Sequence, residues 1–173
     1  MYQQFNRYKI LSIFFDSPNK KFQLRELSRI SKISLPSVKK HVKGLLEQKL
    51  IKKINKGLYD GYKSNFCNKY RLLKRNDLLL RIETSGLSQE IENRCTPNCI
   101  VLYGSAVEGM DDERGDVDIF IQSIKKDIEI KKYENILKRE INLLFEPYIE
   151  NVDSKLKNSL ANGIVLHGFL KVV

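Results

Sequence analysis

The 173-residue chain has no tryptophan, three cysteines, four prolines, nine glycines and two histidines. Cys67, Cys95 and Cys99 are odd in number and loosely spaced, which fits reduced thiols better than a disulfide framework. With only His41 and His167 to join them, in scattered regions, they offer no zinc-ligand spacing. The longest apolar runs are a few residues, such as Ile100 to Tyr103. A membrane-spanning helix needs roughly 20, so none is expected. Met1-Tyr2-Gln3-Gln4-Phe5 lacks the basic-then-apolar character of a signal peptide, and the expected location is the cytoplasm. No tract rich in proline, glycine or serine, no internal repeat and no low-complexity segment is present. Any two domains are therefore expected to be joined by a helix rather than by a loose tether.

Acidic residues are scarce in one half only. The formal net charge is +10, but residues 1 to 75 hold 19 Lys and Arg against 4 Asp and Glu, a net of +15. Residues 76 to 173 hold 12 against 17, a net of −5. At 42% hydrophobic and 30% charged the chain is otherwise an ordinary globular one, long enough for two small domains with different partners.

In the basic half, Phe5, Tyr8, Ile10, Leu11, Phe14 and Phe15 recur near a helical period, ended by Asp16-Ser17-Pro18-Asn19-Lys20. Lys21-Phe22-Gln23 reads as extended. Leu24, Leu27 and Ile30 mark a second helix, and Ser34 is the expected N-cap of a third, with Pro36 in its first turn. Leu35, Val38, Val42, Leu45 and Leu46 form the third helix's predicted buried stripe, with Ser37, Lys39, Lys40, His41 and Lys43 on its other faces. Leu50 to Ile54 and Leu58 to Cys67 read as two strands around Asn55-Lys56-Gly57.

Helix, short strand, helix, tight turn, helix and hairpin is an order that resembles the winged helix-turn-helix family over about residues 1 to 70, most closely in Leu24 to Ser31 and Ser34 to Glu47. The resemblance implies a double-stranded DNA-binding domain. Its third helix would enter the major groove, with Ser34, Ser37 and Lys40 reaching base edges or phosphates. Lys39, Lys43, Lys52, Lys53 and Lys56 would neutralise phosphates. RNA binding and docking of another protein on a solvated lysine face are the alternatives. Homodimers are common in this family, although no residue marks a dimer face.

Residues 71 to 96 read as a helical linker, with Leu78, Leu79, Leu80 and Ile82 in one helix, Asn76-Asp77 as a break or cap, and a second short helix after Gly86. Beyond it, Cys99 to Tyr103 is a β-prone run ending in Gly104-Ser105. Ten residues later Asp116-Val117-Asp118 opens another, Ile119 to Ile121. Side chains alternate along a strand, so Asp116 and Asp118 share one face, about 7 Å apart. Two hard oxygen donors without nearby His or Cys favour Mg2+ over zinc. Gly104 would let the chain approach a phosphate, and Ser105 could offer its hydroxyl and the backbone N–H groups. Lys125 to Glu140 reads as an amphipathic helix, Ile141 to Phe145 as a strand, Ile149 to Ala161 as a helix and Gly163 onward as a closing strand.

Gly104-Ser105, ten residues, Asp116-x-Asp118 resembles the signature of minimal nucleotidyltransferases of the DNA polymerase β superfamily, and Asn162 to Gly168 resembles their closing strand. The resemblance covers roughly residues 85 to 170 and implies an α+β chain, with a small mixed sheet carrying the site in a domain at 97–173. It implies transfer of a nucleoside monophosphate from an NTP, expected to be ATP, to an acceptor hydroxyl. Asp116 and Asp118 would hold two Mg2+ ions, and Gly104 and Ser105 the β and γ phosphates. Some relatives act on a separate helical HEPN-type partner as antitoxins.

Two positions depart from the pattern. The family usually continues Gly-Ser-x-Ala-Arg-Gly, whereas Glu108 stands here in place of the arginine. A later strand often adds a third carboxylate, and Asn142 occupies that position, with Glu140 and Glu146 sharing its strand parity. Active transfer and a DNA-binding regulator whose second domain senses a nucleotide without transferring it are the two expectations. A pure protein-interaction module is the third.

Overall fold

The computed structural model describes residues 2–54, 60–113 and 115–171, so Lys56 and Leu58 of the expected hairpin lie outside the described residues. The chain is a mixed α+β protein that divides into two compact units, Met1–Lys74 and Arg75–Val173. Among the described residues no helix is long and apolar enough to cross a membrane.

The first unit holds α1 (Tyr2–Asp16), α2 (Leu24–Ser31), α3 (Leu35–Glu47), β1 (Ile51–Ile54) and β2 (Gly61–Ser64). β1 and β2 pair antiparallel, and Phe22 and Tyr62 exchange two backbone hydrogen bonds of 2.8 Å, adding a one-residue third strand. The core is aromatic. Phe14 stacks edge-on against Phe22, and Phe15 against Tyr70, at centroid separations of 5.2 Å. The buried Tyr70 hydroxyl donates to the Phe14 carbonyl at 2.8 Å and lies 2.8 Å from the Ser64 hydroxyl, within hydrogen-bond distance, which pins α1 to the end of β2. Ser28 Oγ donates to the Ile33 carbonyl at 2.6 Å and so tightens the turn between α2 and α3.

The stripe of α3 differs from the expected one. Val38, His41, Val42 and Leu45 are buried, whereas Leu35 is 37% exposed and Leu46 is half-buried. His41 lies three residues after Val38 and four before Leu45, so helical spacing puts it on the apolar face despite its polarity. Ser34 occupies the N-cap position, but its side chain makes no capping hydrogen bond. A cap ordinarily bonds the second or third helical N–H, and the second belongs to Pro36, which has none.

Helix α4 (Asn68–Ser85) runs through Asn76-Asp77 without the expected break. Buried Asp77 is paired with Arg81 at 2.8 Å one turn on, so its carboxylate supports the helix instead of ending it. After α5 (Leu87–Cys95) come β3 (Cys99–Tyr103), the four-residue α6 (Ser105–Glu108), β4 (Val117–Ile121), α7 (Lys131–Leu137), β5 (Ile141–Phe145), α8 (Ser154–Ala161) and β6 (Ile164–Gly168). The sheet order is β5-β4-β3-β6, with β4 and β5 parallel and the other pairs antiparallel.

Both sheet faces are covered. Ile100, Leu102, Ile119 and Ile121 pack against Leu78 and Ile82 of α4 and Leu87 and Ile91 of α5, with Leu137 of α7 in the same cluster. Cys99, Val101 and Phe120 face Val152 and Leu160. α7 is shorter than the expected Lys125 to Glu140. Ile128 and Ile130 are β-branched and two apart, which does not build one helical face, and Lys138 ends the helix in the left-handed conformation, φ 58°.

Candidate functional site

The middle of the second unit's sheet brings the sequence-predicted carboxylates together. In the antiparallel register Tyr103 faces Asp118, and in the parallel register Asp118 faces Asn142. Asp116 precedes β4 by one residue. Asn142 Nδ2 donates to Asp118 Oδ1 at 3.0 Å and to Asp116 Oδ2 at 3.2 Å, so one neutral amide bridges both carboxylates. The bridge offsets part of their mutual repulsion. Burial, and then the Asp118 charge, push the Tyr103 phenol above its ordinary pKa, so it stays protonated.

Gly104 ends β3 with φ 80° and ψ −163°, a conformation essentially confined to glycine. A Cβ there would lie 2.5 Å from Asp118 Oδ2. The positive φ and the nearby Asp118 carboxylate each favour glycine here. Ser105 is exposed at the first position of α6. Gly104, Ser105, Val107 and Glu108 line a cavity of about 720 Å3 with Arg75 and with Asn158, Ser159 and Asn162 around the end of α8. A second cavity, about 660 Å3, lies beside Asp116 and is lined by charged side chains of both signs, Lys131, Glu134, Arg139 and Glu140 among them.

The third-carboxylate alternatives separate by position. Glu140 is exposed and shares the second cavity with Asp116. Glu146, just beyond β5, accepts the Tyr148 N–H and the Asn151 amide, both at 3.1 Å, which commits it to the turn at the other end of the strand. Asn142 is the residue in contact with both aspartates. The donor set of two carboxylates and one carboxamide suits a hard cation such as Mg2+; turning the Asn142 amide over would present Oδ1 to the same space. Among the described residues no group of three His, Cys, Asp or Glu side chains is placed to hold a metal ion.

Sequence reading missed the residues that hold this arrangement. Buried Asp111 pairs with Arg139, tying the loop before Asp116 to the segment before β5. The Val117 N–H donates to the Glu140 carbonyl at 2.9 Å, and Glu134 accepts the Ile141 N–H at 3.2 Å. That backbone bond, with help from Lys131, holds the Glu134 carboxyl below its usual pKa. Asp111 and Arg139 are 28 positions apart, and no local pattern links them.

On the first unit, Ser34, Lys39, Lys40 and Lys43 are exposed along α3, and Ser37 is half-buried. Lys52 and Lys53 are exposed on β1, but Lys53 pairs with Asp60 at 2.6 Å, a bond that raises its pKa and offsets its charge toward any phosphate. Cys95 and Cys99 are buried free thiols whose pKa burial pushes up, and Cys67 is free and half-buried. Compared with protein-family models, with curated proteins and with solved structures, the chain has no match.

Proposed function

We propose that the chain is a Mg2+-dependent nucleotidyltransferase carrying a winged-helix DNA-binding domain. The observation that carries this reading is the cluster of Asp116, Asp118 and Asn142 beside the Gly104-Ser105 turn, with Gly104 held at a positive φ next to the Asp118 carboxylate. Asp116 and Asp118 would hold the metal, which supplies neutralisation of the triphosphate and a lowered pKa for the acceptor hydroxyl. The Ser105 hydroxyl, exposed in the adjoining cavity, donates to a phosphate oxygen. The acceptor oxygen bonds to the α phosphorus of the NTP, taken as ATP, as the bond to the bridging oxygen breaks and pyrophosphate leaves. The acceptor proton passes to solvent, because Asn142 has no basic atom with which to take it.

The winged-helix reading rests on exposed Lys39, Lys40 and Lys43 along one helix of a unit, Met1–Lys74, that holds 18 Lys and Arg against 4 Asp and Glu, a net of +14. A second reading, a regulator whose nucleotidyltransferase domain senses a nucleotide without transferring it, is favoured by Asn142 and by Glu108 in place of the family's arginine.

The test is incubation with labelled ATP, GTP, CTP and UTP in Mg2+, offering the protein itself, cellular RNA and a HEPN-type partner as acceptors. Label should move in the parent and fall by at least about a hundredfold in Asp116→Asn and in Asp118→Asn. Nucleotide binding with no transfer to any acceptor selects the second reading.

A further inference from the structure

The cavity beside Gly104-Ser105 contains one cation that the sequence pattern did not single out. Arg75, at the start of the second unit, lines it together with Ser105, Glu108, Asn158, Ser159 and Asn162. Its Nε–H is buried and has no hydrogen-bond partner among the described residues. A buried donor on a charged group is costly when left without an acceptor. Arg7 and Arg71 share that state, but neither lines this cavity. Glu108 is exposed and lines the same cavity, so without Arg75 the lining named above would carry only negative charge. The remaining polar atoms are a hydroxyl on Ser105, a hydroxyl on Ser159 and the amides of Asn158 and Asn162. Such a set recognises an oxyanion chain, provided a cation is present to offset Glu108.

We propose that Arg75 is the polyphosphate-binding cation of this site and takes over, from α4, the charge that Glu108 removes from the α6 turn. This rests on the nucleotidyltransferase reading and assigns a binding residue to it. The ligand portion is the β,γ-diphosphate of an NTP, equivalent chemically to inorganic pyrophosphate or tripolyphosphate. The guanidinium fork donates to two phosphate oxygens while Ser105 and the amides of Asn158, in α8, and Asn162, just beyond it, donate to the others.

Calorimetric titration of the full chain in Mg2+ with tripolyphosphate, ATP and AMP tests it. The parent should bind tripolyphosphate and ATP. Arg75→Gln should weaken both by about tenfold, Arg75→Lys by less, and AMP binding should not change. Glu108→Arg in the Arg75→Gln background should restore most of the loss, which a merely structural role for Arg75 would not allow. Unchanged tripolyphosphate affinity in Arg75→Gln, an equal loss for AMP, or no binding by the parent overturns the proposal. Arg75-dependent tripolyphosphate binding without movement of label defeats the transfer reading alone. Label transfer with an unchanged KM for ATP in Arg75→Gln defeats the Arg75 assignment alone.

Discussion

The two units use charge in opposite ways. Along α3 the lysines are exposed and, among the described residues, Lys39, Lys40 and Lys43 form no ion pair, so their effect on a partner is a sum of separate and screened attractions. In the second unit two like charges are forced together at the start of an interior strand, and a single amide holds them. The first arrangement should degrade gradually when charges are removed. The second should fail abruptly, because each member fixes the position of the next.

The sharpest break of that contrast is Gly104→Ala. Its methyl group would meet Asp118 Oδ2 at 2.5 Å in a backbone conformation closed to alanine. We expect a destabilisation of roughly 1–3 kcal/mol and loss of Mg2+-dependent transfer, checked by thermal melting and label transfer. Normal transfer in a folded Gly104→Ala protein would refute the role given to the turn.

On the basic side, Lys39→Glu with Lys40→Glu should lower duplex DNA affinity by about tenfold and reduce the slope of log K against log salt by about two. Fluorescence anisotropy across a salt series reads both, and parent-like binding would remove the DNA assignment. An intermediate effect is expected from Asn142→Asp, which turns a bridging donor into a third like charge. Its Tm in EDTA should fall below the parent's, and Mg2+ should raise it by more than it raises the parent's. The absence of any Mg2+ response in both proteins would contradict the metal assignment.

The smallest effect concerns His41. Burial, and then Arg7 and Lys40, lower its pKa below the ordinary value near 6.5, so the folded protein prefers the neutral ring. The unfolded chain therefore binds more protons in that window. Stability from this group is complete above pH 6.5 and declines as pH falls below it. Stability measured between pH 7.5 and 5.5 should fall more steeply in the parent than in His41→Leu, and parallel curves would show that the ring does not titrate on unfolding.

Much of the architecture was legible because apolar spacing dominates it. Phe14 and Phe15, Leu27, Val42 and Leu45 marked three helices whose buried faces follow the helical period. The strand β3 and the turn at Gly104-Ser105 were legible from an apolar run cut short by glycine. Asp116 and Asp118 were legible because alternation in a strand is rigid. Other features depend on contacts between distant residues. The Asp111 to Arg139 pair and the Arg75 wall of the cavity join segments with no shared local pattern. The polarity of His41 suggests an outer face although its spacing puts it on the buried one, and Asp77, which suggests a break or cap, is carried inside the helix by its pair with Arg81. The parity that left Asn142, Glu140 and Glu146 open is a property of any strand; the strand register places Asn142 opposite Asp118.

The most direct measurement compares ATP labelled at the α phosphate with ATP labelled at the γ phosphate, in the presence of Mg2+ and the same acceptors. The account predicts that the α label becomes covalently attached to an acceptor, that the γ label is released as pyrophosphate, and that both events vanish in Asp118→Asn. Attachment of the γ label, or a folded, nucleotide-binding parent that attaches neither, would contradict it.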